Sequence, residues 1–508
     1  MGNRWVCLAL VLLIAVSASA EVRLPSIMGS NMVLQREALA PIWGWADPGE
    51  AVKVRGSWQD GWVKTEAGDD GKWMVRLETP AKGDECKVII QGKNKIELEN
   101  VLIGEVWVAS GQSNMQMAVS SVNNAQDEIA AAKYPKIRLF YVTRATADTP
   151  QDDCQGSWQV CSPETVGGFS AAAYFFGRTL HRELGAPIGL INTSWGGTPC
   201  ESWTRRAYLE ADEDFVPILE RFAAALKDYP AAQERYKKSV EKWEQQVKAA
   251  KEAGKNPPRK PRFSHPGDPG HPHRPSTLYN AMIAPLIPYN IAGAIWYQGE
   301  SNAGRSYQYR TLFPAMIQNW RDDWGYGDFP FYFVQIAPFR GQTPEIREAQ
   351  LIALRTTANT GMAVTMDIGN PDNIHPKNKQ DVGKRLALWA LAKDYGEKGI
   401  VYSGPLYTHH RIEGSKIRLF FEHCGSGLVA DGGALTHFII AEKEGEFVPA
   451  KAKIEGNTVV VWSDAVKAPF AARYGWENAA EPNLFNKEGL PASPFRTDKR
   501  PGETYGKY

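Results

Sequence analysis

Cysteine is scarce in this chain, with six in 508 residues, and one of them, Cys7, lies within an apolar stretch at the N-terminus. The other five, Cys86, Cys154, Cys161, Cys200 and Cys424, are odd in number and widely spaced, which does not describe a disulfide scaffold. Only Cys154 and Cys161 are near enough in sequence to suggest a bridge. An excess of charge is also missing. Lys plus Arg is 58 and Asp plus Glu is 57, so nothing marks the chain for nucleic acid or an acidic membrane surface. Neither a phosphate-cradling G-x-x-x-x-G-K-[ST] nor a zinc-binding H-E-x-x-H is present, and nucleotide and zinc-protease chemistries lose their minimum parts. Beyond the N-terminus no apolar run is long enough to span a bilayer. The first stretch is short, starts after Arg4 and ends in Ala18-Ser19-Ala20, the pattern of a cleaved signal peptide over residues 1–20. A mature chain beginning near Glu21, exported to the periplasm or secreted, is therefore expected, with no membrane association after cleavage.

What is present reads in three parts, enough length for about three domains. Residues 21–100 carry short alternating runs separated by turns such as Asp47-Pro48-Gly49, which predicts a small β-sandwich. From 101 to 400, apolar runs at 106–109, 188–192, 292–297, 331–336 and 363–367 alternate with helical patterns, including 171–184 and 378–394. That rhythm predicts an α/β domain with a parallel sheet flanked by helices. A helical hairpin interrupts it at about 205–275, with Pro230 separating two helices and Tyr236, Val240, Trp243 and Val247 on one face. The loop that follows carries His265, His271 and His273. Without Cys or carboxylate partners they do not make a metal site, and no metal is expected. Residues 401–508 return to β patterning and predict a C-terminal β domain. Most of the 17 tryptophans should be core, with a few available to stack on sugar rings.

Four of the five apolar runs end in small or polar motifs, and in open α/β sheets the crevice beyond the strand ends is where ligands bind. Ser113 follows the first run, in Gly111-Gln112-Ser113-Asn114-Met115. Asp372-Asn373-Ile374-His375-Pro376 follows the last. Serine becomes a useful nucleophile when a base takes its proton, and a carboxylate on the far ring nitrogen fixes the base's tautomer. Ser113, His375 and Asp372 make that set, with Asp367 at the end of the preceding strand as the alternative acid. This is the pattern of a serine hydrolase.

GQSNM, TSWGGTPCESW (193–203), WYQGESN (296–302) and DNIHPKNKQDVGKRLAL (372–388) together closely resemble the sialate O-acetylesterase family of the SGNH (GDSL-like) hydrolases, in the family's order and from about Leu24 onward. The resemblance implies an SGNH-like fold, no cofactor, and hydrolysis of acetyl esters on carbohydrates, sialic acids above all, through an acetyl-enzyme. It also implies an oxyanion hole of the Ser113 N–H, a Gly196 or Gly197 N–H, and the side chain of Gln298, with Asn302 as the alternative amide. Glu300 is expected to brace its loop. An acetylxylan or other polysaccharide acetylesterase remains the rival activity. A non-catalytic carbohydrate-binding protein is the rival of another class, against which the intact Ser113, Asp372 and His375 argue.

Overall fold

The longest strand explains how the parts join. In the computed structural model, which describes residues 21–508, strand β1 (Lys95–Gly111) runs 17 residues without a break. Its first half is largely exposed and pairs antiparallel with Gly83–Gln91 of the N-terminal β-rich region. From Val101 onward every residue is buried, because parallel neighbours flank the strand and helices cover both faces. The expected border at residue 100 is therefore a continuous strand and not a linker. Val33–Gln35 adds parallel to the same strand and ties the two regions further. The expected signal peptide lies outside the described residues.

After β1 come β2 (Tyr134–Tyr141), β3 (Trp158–Cys161), β4 (Ile188–Ser194), β5 (Gly293–Tyr297), β6 (Phe331–Gln335) and β7 (Thr360–Val364). They line up as β7-β6-β5-β1-β4-β2-β3, parallel except for β3 at one edge. After β1 the chain runs to β2 and the edge strand β3, returns to insert β4 between β1 and β2, then crosses to the other side of β1 to build β5, β6 and β7. The reversal falls at β1, so the crevice expected at a topological switch lies beyond its carboxyl end.

Helices α1 (Ala171–Leu184), α2 (Val216–Glu252), α3 (Ser306–Trp324), α4 (Glu345–Thr356) and α5 (Lys379–Lys393) complete the domain. Strand register shows how they sort. Trp107 meets Phe176 of α1 and stacks on Tyr332, which in turn meets Trp389 of α5. Trp296 belongs to the opposite set of side chains in the parallel register and packs on Phe313 and Trp320 of α3. The alternation of β-strand side chains thus places α1 and α5 on one face and α3 on the other.

Two expectations change here. Pro230 does not divide two helices: α2 runs through it for 37 residues. Proline removes one backbone hydrogen bond and crowds the preceding turn. Contacts spanning the position hold both sides: Arg235 forks onto Asp228, and Tyr229 and Tyr236 both pack on Phe263 of the returning loop. Nor do Cys154 and Cys161 form a bridge; all five described cysteines are free and buried. Burial pushes the thiols of Cys154 and Cys161 up to about 12.

The C-terminal part is β-rich, with a four-stranded antiparallel sheet that includes Lys416–Glu422 and Thr458–Trp462. Its tail docks on α4, where Arg496 reaches Glu348 at 2.6 Å and Glu345 accepts from Thr504 N–H at 3.0 Å.

Candidate active site

Strand β1 ends at a glycine for a steric reason. Gly111 has φ +133°, and a Cβ there would overlap the carbonyl of Tyr297 at the end of β5. Gln112 N–H then donates to that carbonyl at 2.9 Å, and Ser113 opens a single helical turn, Ser113–Gln116. The serine is half-buried at the carboxyl edge of the sheet. Facing it, His375 Nε2 lies 2.8 Å from Ser113 Oγ, although 262 positions separate the two in the chain. Burial, and then the charge of Lys379, hold the His375 imidazole below its usual range. The ring is accordingly neutral at pH 7 and able to accept the serine proton.

A buried chain of side chains supports this pair. Asn114 donates to Glu300 Oε1 at 2.6 Å and to the Ile374 carbonyl at 3.0 Å. Lys379 Nζ donates to Asn114 Oδ1 at 2.7 Å and to the Pro376 carbonyl at 2.8 Å, and sits over the Tyr297 ring. The carbonyls on both sides of His375 are therefore gripped from below. Burial pushes the Lys379 ammonium down to about 7 and the Glu300 carboxyl up. Glu300 braces its loop, as expected. Asn114 and Lys379 were not singled out from sequence. Asn114 adjoins Ser113 in GQSNM, but Lys379 sits in a polar run at a helix start that reads as solvated.

The two acids fall differently. Asp367 is forked by Arg385 at 2.7 and 2.6 Å at the end of its strand. Asp372 is 76% exposed and pairs with Arg340 at 2.7 Å. Among the described residues neither carboxylate bonds to His375. The expected Asp372–His375 contact is not formed here, because Arg340 holds the carboxylate at the rim.

The oxyanion candidates also divide. Gly196 lies against the nucleophile, 3.3 Å from Ser113 measured to a Cβ built on the glycine, and its N–H donates to Gln116 Oε1 at 2.6 Å. Gly197 takes φ +78°, a conformation that favours glycine. The N–H groups of Ser113 and Gly197 have no hydrogen-bond partner among the described residues. Gln298 is fully buried and its amide is already committed. Nε2 donates to Asn302 Oδ1 at 2.7 Å and Thr198 O at 3.3 Å, while Oε1 accepts from Tyr309. Asn302 donates to Glu201 at 2.9 Å and accepts from Cys200 N–H. Here both amides hold the loops after β4 and β5 together, in place of the side-chain oxyanion contact expected from sequence. Of the three loop histidines, His265 faces Asp228, His271 bonds Ser264, and His273 borders a cavity near Gly197. Among the described residues no three His, Cys, Asp or Glu side chains cluster as a metal site.

A serine hydroxyl and an imidazole in hydrogen-bond contact at the switch point of a parallel sheet, held by a buried polar frame, are parts suited to ester hydrolysis. Comparison with known proteins agrees. A family model described as carbohydrate esterase, sialic acid-specific acetylesterase, matches residues 103–253 and 269–392. A sialate O-acetylesterase from Rattus norvegicus is 35% identical over 452 residues, covering 80% of each chain. One from Pongo abelii is 30% identical, over 96% of this chain and 95% of its own. A carbohydrate acetylesterase from Xanthomonas citri superposes with a TM-score of 0.79 at 36% identity, over 94% of this chain and 99% of that one. The protein is a carbohydrate O-acetylesterase. Within that class the chain belongs to the sialic acid-specific acetylesterase family.

Proposed function

We propose that the chain is an exported, SGNH-like sialate O-acetylesterase that works through a serine acetyl-enzyme. The 2.8 Å approach of His375 Nε2 to Ser113 Oγ carries the reading. His375 takes the serine proton as Oγ attacks the acetyl carbonyl. The tetrahedral oxyanion is met by the N–H groups of Ser113 and Gly197, with Gly196 N–H available when Gln116 turns aside. The bond to the sugar oxygen breaks, and His375 returns its proton to that oxygen. A water then loses a proton to His375 and attacks the acetyl group, and acetate leaves as the proton passes back to Ser113.

Asp372 completes the set by exchanging Arg340 for His375 Nδ1. A screened surface pair is held weakly and yields at low cost. Asp367 is the poorer choice, being clamped by both terminal nitrogens of Arg385. No cofactor enters the reaction, and the substrate is an acetylated carbohydrate.

The test is a panel of O-acetylated sialic acids and acetylated xylans, run with the Ser113→Ala variant as control. Preferential release of acetate from the sialic acids supports the reading. Preference for xylan would move the protein to the plant-polysaccharide esterases. Mass spectrometry after treatment with a serine-directed organophosphonate should place the adduct on Ser113, and an adduct elsewhere would remove the proposed nucleophile.

A further inference from the structure

A cavity of about 380 Å³ opens beside the Ser113 loop, between the loops that follow β4 and β5 and the first turns of α2. Gly197 and Ser301 are part of its lining. Gly196, next to Gly197, lies against Ser113, and Ser301 N–H bonds Gln112 Oε1 at 3.2 Å. The cavity therefore begins where a sugar attached to a reacting acetyl group would extend. Its charged lining is Glu201, Arg221 and Arg305, with His273 beside them.

These charges do not balance. Glu201 is nearly buried, and its oxygens are occupied from within the protein. Oε1 accepts from Arg305 Nη2 at 2.8 Å and lies 3.9 Å from Arg221 Nη2, while Oε2 accepts from Asn302 at 2.9 Å. One carboxylate thus faces two guanidinium groups. Arg221 Nη1 donates to the main-chain oxygen of Tyr508. Arg221 Nη2 and Arg305 Nε are shielded from solvent and make no hydrogen bond. Burial and the neighbouring Arg305 charge hold Arg221 below the usual guanidinium range, so the two cations repel each other. Burial also keeps the His273 imidazole below its usual range, and at neutral pH it adds no further charge. Shielded, unpaired donors on two crowded cations are costly unless an anion arrives to share them.

Building on the esterase reading above, we propose that this cavity binds the carboxylate of an acidic sugar, with Arg221 and Arg305 as its donors, while the acetyl ester lies at Ser113. A guanidinium presents paired N–H groups that match the geometry of a carboxylate. Arg221 comes from α2, so the inserted segment gains a role: it contributes one of the groups that distinguish an acidic sugar from a neutral one.

Calorimetry with the full chain tests this independently of turnover. The probes are N-acetylneuraminate, its methyl ester, galacturonate and xylose. The free acid should bind on the order of 10–100-fold more tightly than its methyl ester, the usual worth of hydrogen bonds to charged groups. Arg221→Met should erase that ratio, and Arg221→Lys should retain part of it. Equal binding of acid and ester by the unaltered protein overturns the proposal without recourse to any variant. So does an acid preference that survives Arg221→Met. Galacturonate binding as tightly as N-acetylneuraminate supports the carboxylate site and assigns its source to uronic acids; weaker galacturonate binding assigns it to sialic acids. The same ratio is read in kcat/KM on the acetylated acid and its methyl ester, and should fall at least tenfold in Arg221→Met. Complete lack of turnover on every acetyl ester would defeat the esterase mechanism, while the binding ratio would still decide the cavity's ligand.

Discussion

Behind His375 lies a buried chain, Glu300–Asn114–Lys379, that grips the carbonyls of Ile374 and Pro376. In front of it, at the rim, Asp372 and Arg340 pair with 76% and 69% of their side chains exposed. The two regions use the same ingredients, a carboxylate and a cation, to different ends. Out of water, polar groups must be satisfied, and a satisfied network fixes position. In water the same pair is screened and readily exchanged. The loop carrying His375 is thus anchored on its inner side, while Asp372, the acid we propose for the other ring nitrogen, is held only by a screened surface pair.

The comparison breaks most sharply at the reacting pair itself. Ser113→Ala and His375→Ala should each lower kcat on acetyl esters by on the order of 10⁴ or more, and the double variant should be little worse, since the two act as one unit. Steady-state kinetics on p-nitrophenyl acetate would check this, and additive losses would contradict it. Next comes the rim. Asp372→Asn should cost roughly 10²–10⁴ in kcat, because an amide no longer favours the tautomer that accepts the serine proton. Should Asp372→Asn remain active while Asp367→Asn in a folded protein does not, the acid assignment moves to Asp367 and the Ser–His pair stands.

The buried side should give a smaller loss with a distinctive signature. Lys379→Met should lower kcat/KM by about 10–100-fold, the worth of its charged hydrogen bonds. Its positive charge now helps hold His375 below the usual imidazole range. Removing it raises the His375 pKa, so the acid limb of log(kcat/KM) should move to higher pH. In the unaltered protein that limb should lie below the ordinary imidazole value, with activity rising as His375 loses its proton. A limb that stays in place in Lys379→Met would confine Lys379 to packing. The smallest effect belongs to Arg340→Ala, which should change kcat by no more than about threefold, as expected of a screened surface pair. A large loss there would make Arg340 part of the working site.

Much of the site was legible because its signals are local. Apolar runs that stop at Gly111-Gln112-Ser113 and before Asp372-Asn373-Ile374-His375 mark strand ends, and strand ends of a parallel sheet meet at one edge. Helices 171–184 and 378–394 agree with α1 and α5 to within a residue at each end, since apolar periodicity and the Asn378 cap act over a few turns. Strand β2 and the edge strand β3 were missed in sequence, and Pro230 misled because contacts from a returning loop outweigh its local cost. Gln298 was assigned by its place in a motif. Its actual work depends on Tyr309, Thr198 and Asn302, which only folding brings near.

By itself the sequence determined the parallel α/β core, the β-rich ends, and the strand-end loops that carry Ser113 and His375, because each is written in short-range patterning. Tertiary structure alone decided that Lys379 is buried and bound to Asn114, that Asp372 rests on Arg340, and that Arg221 of α2 meets Arg305 across a cavity. Those outcomes depend on which distant side chains share a space closed to water. Exclusion from water sets the strength of a charge and is a property of the assembled fold, which no local run of residues encodes.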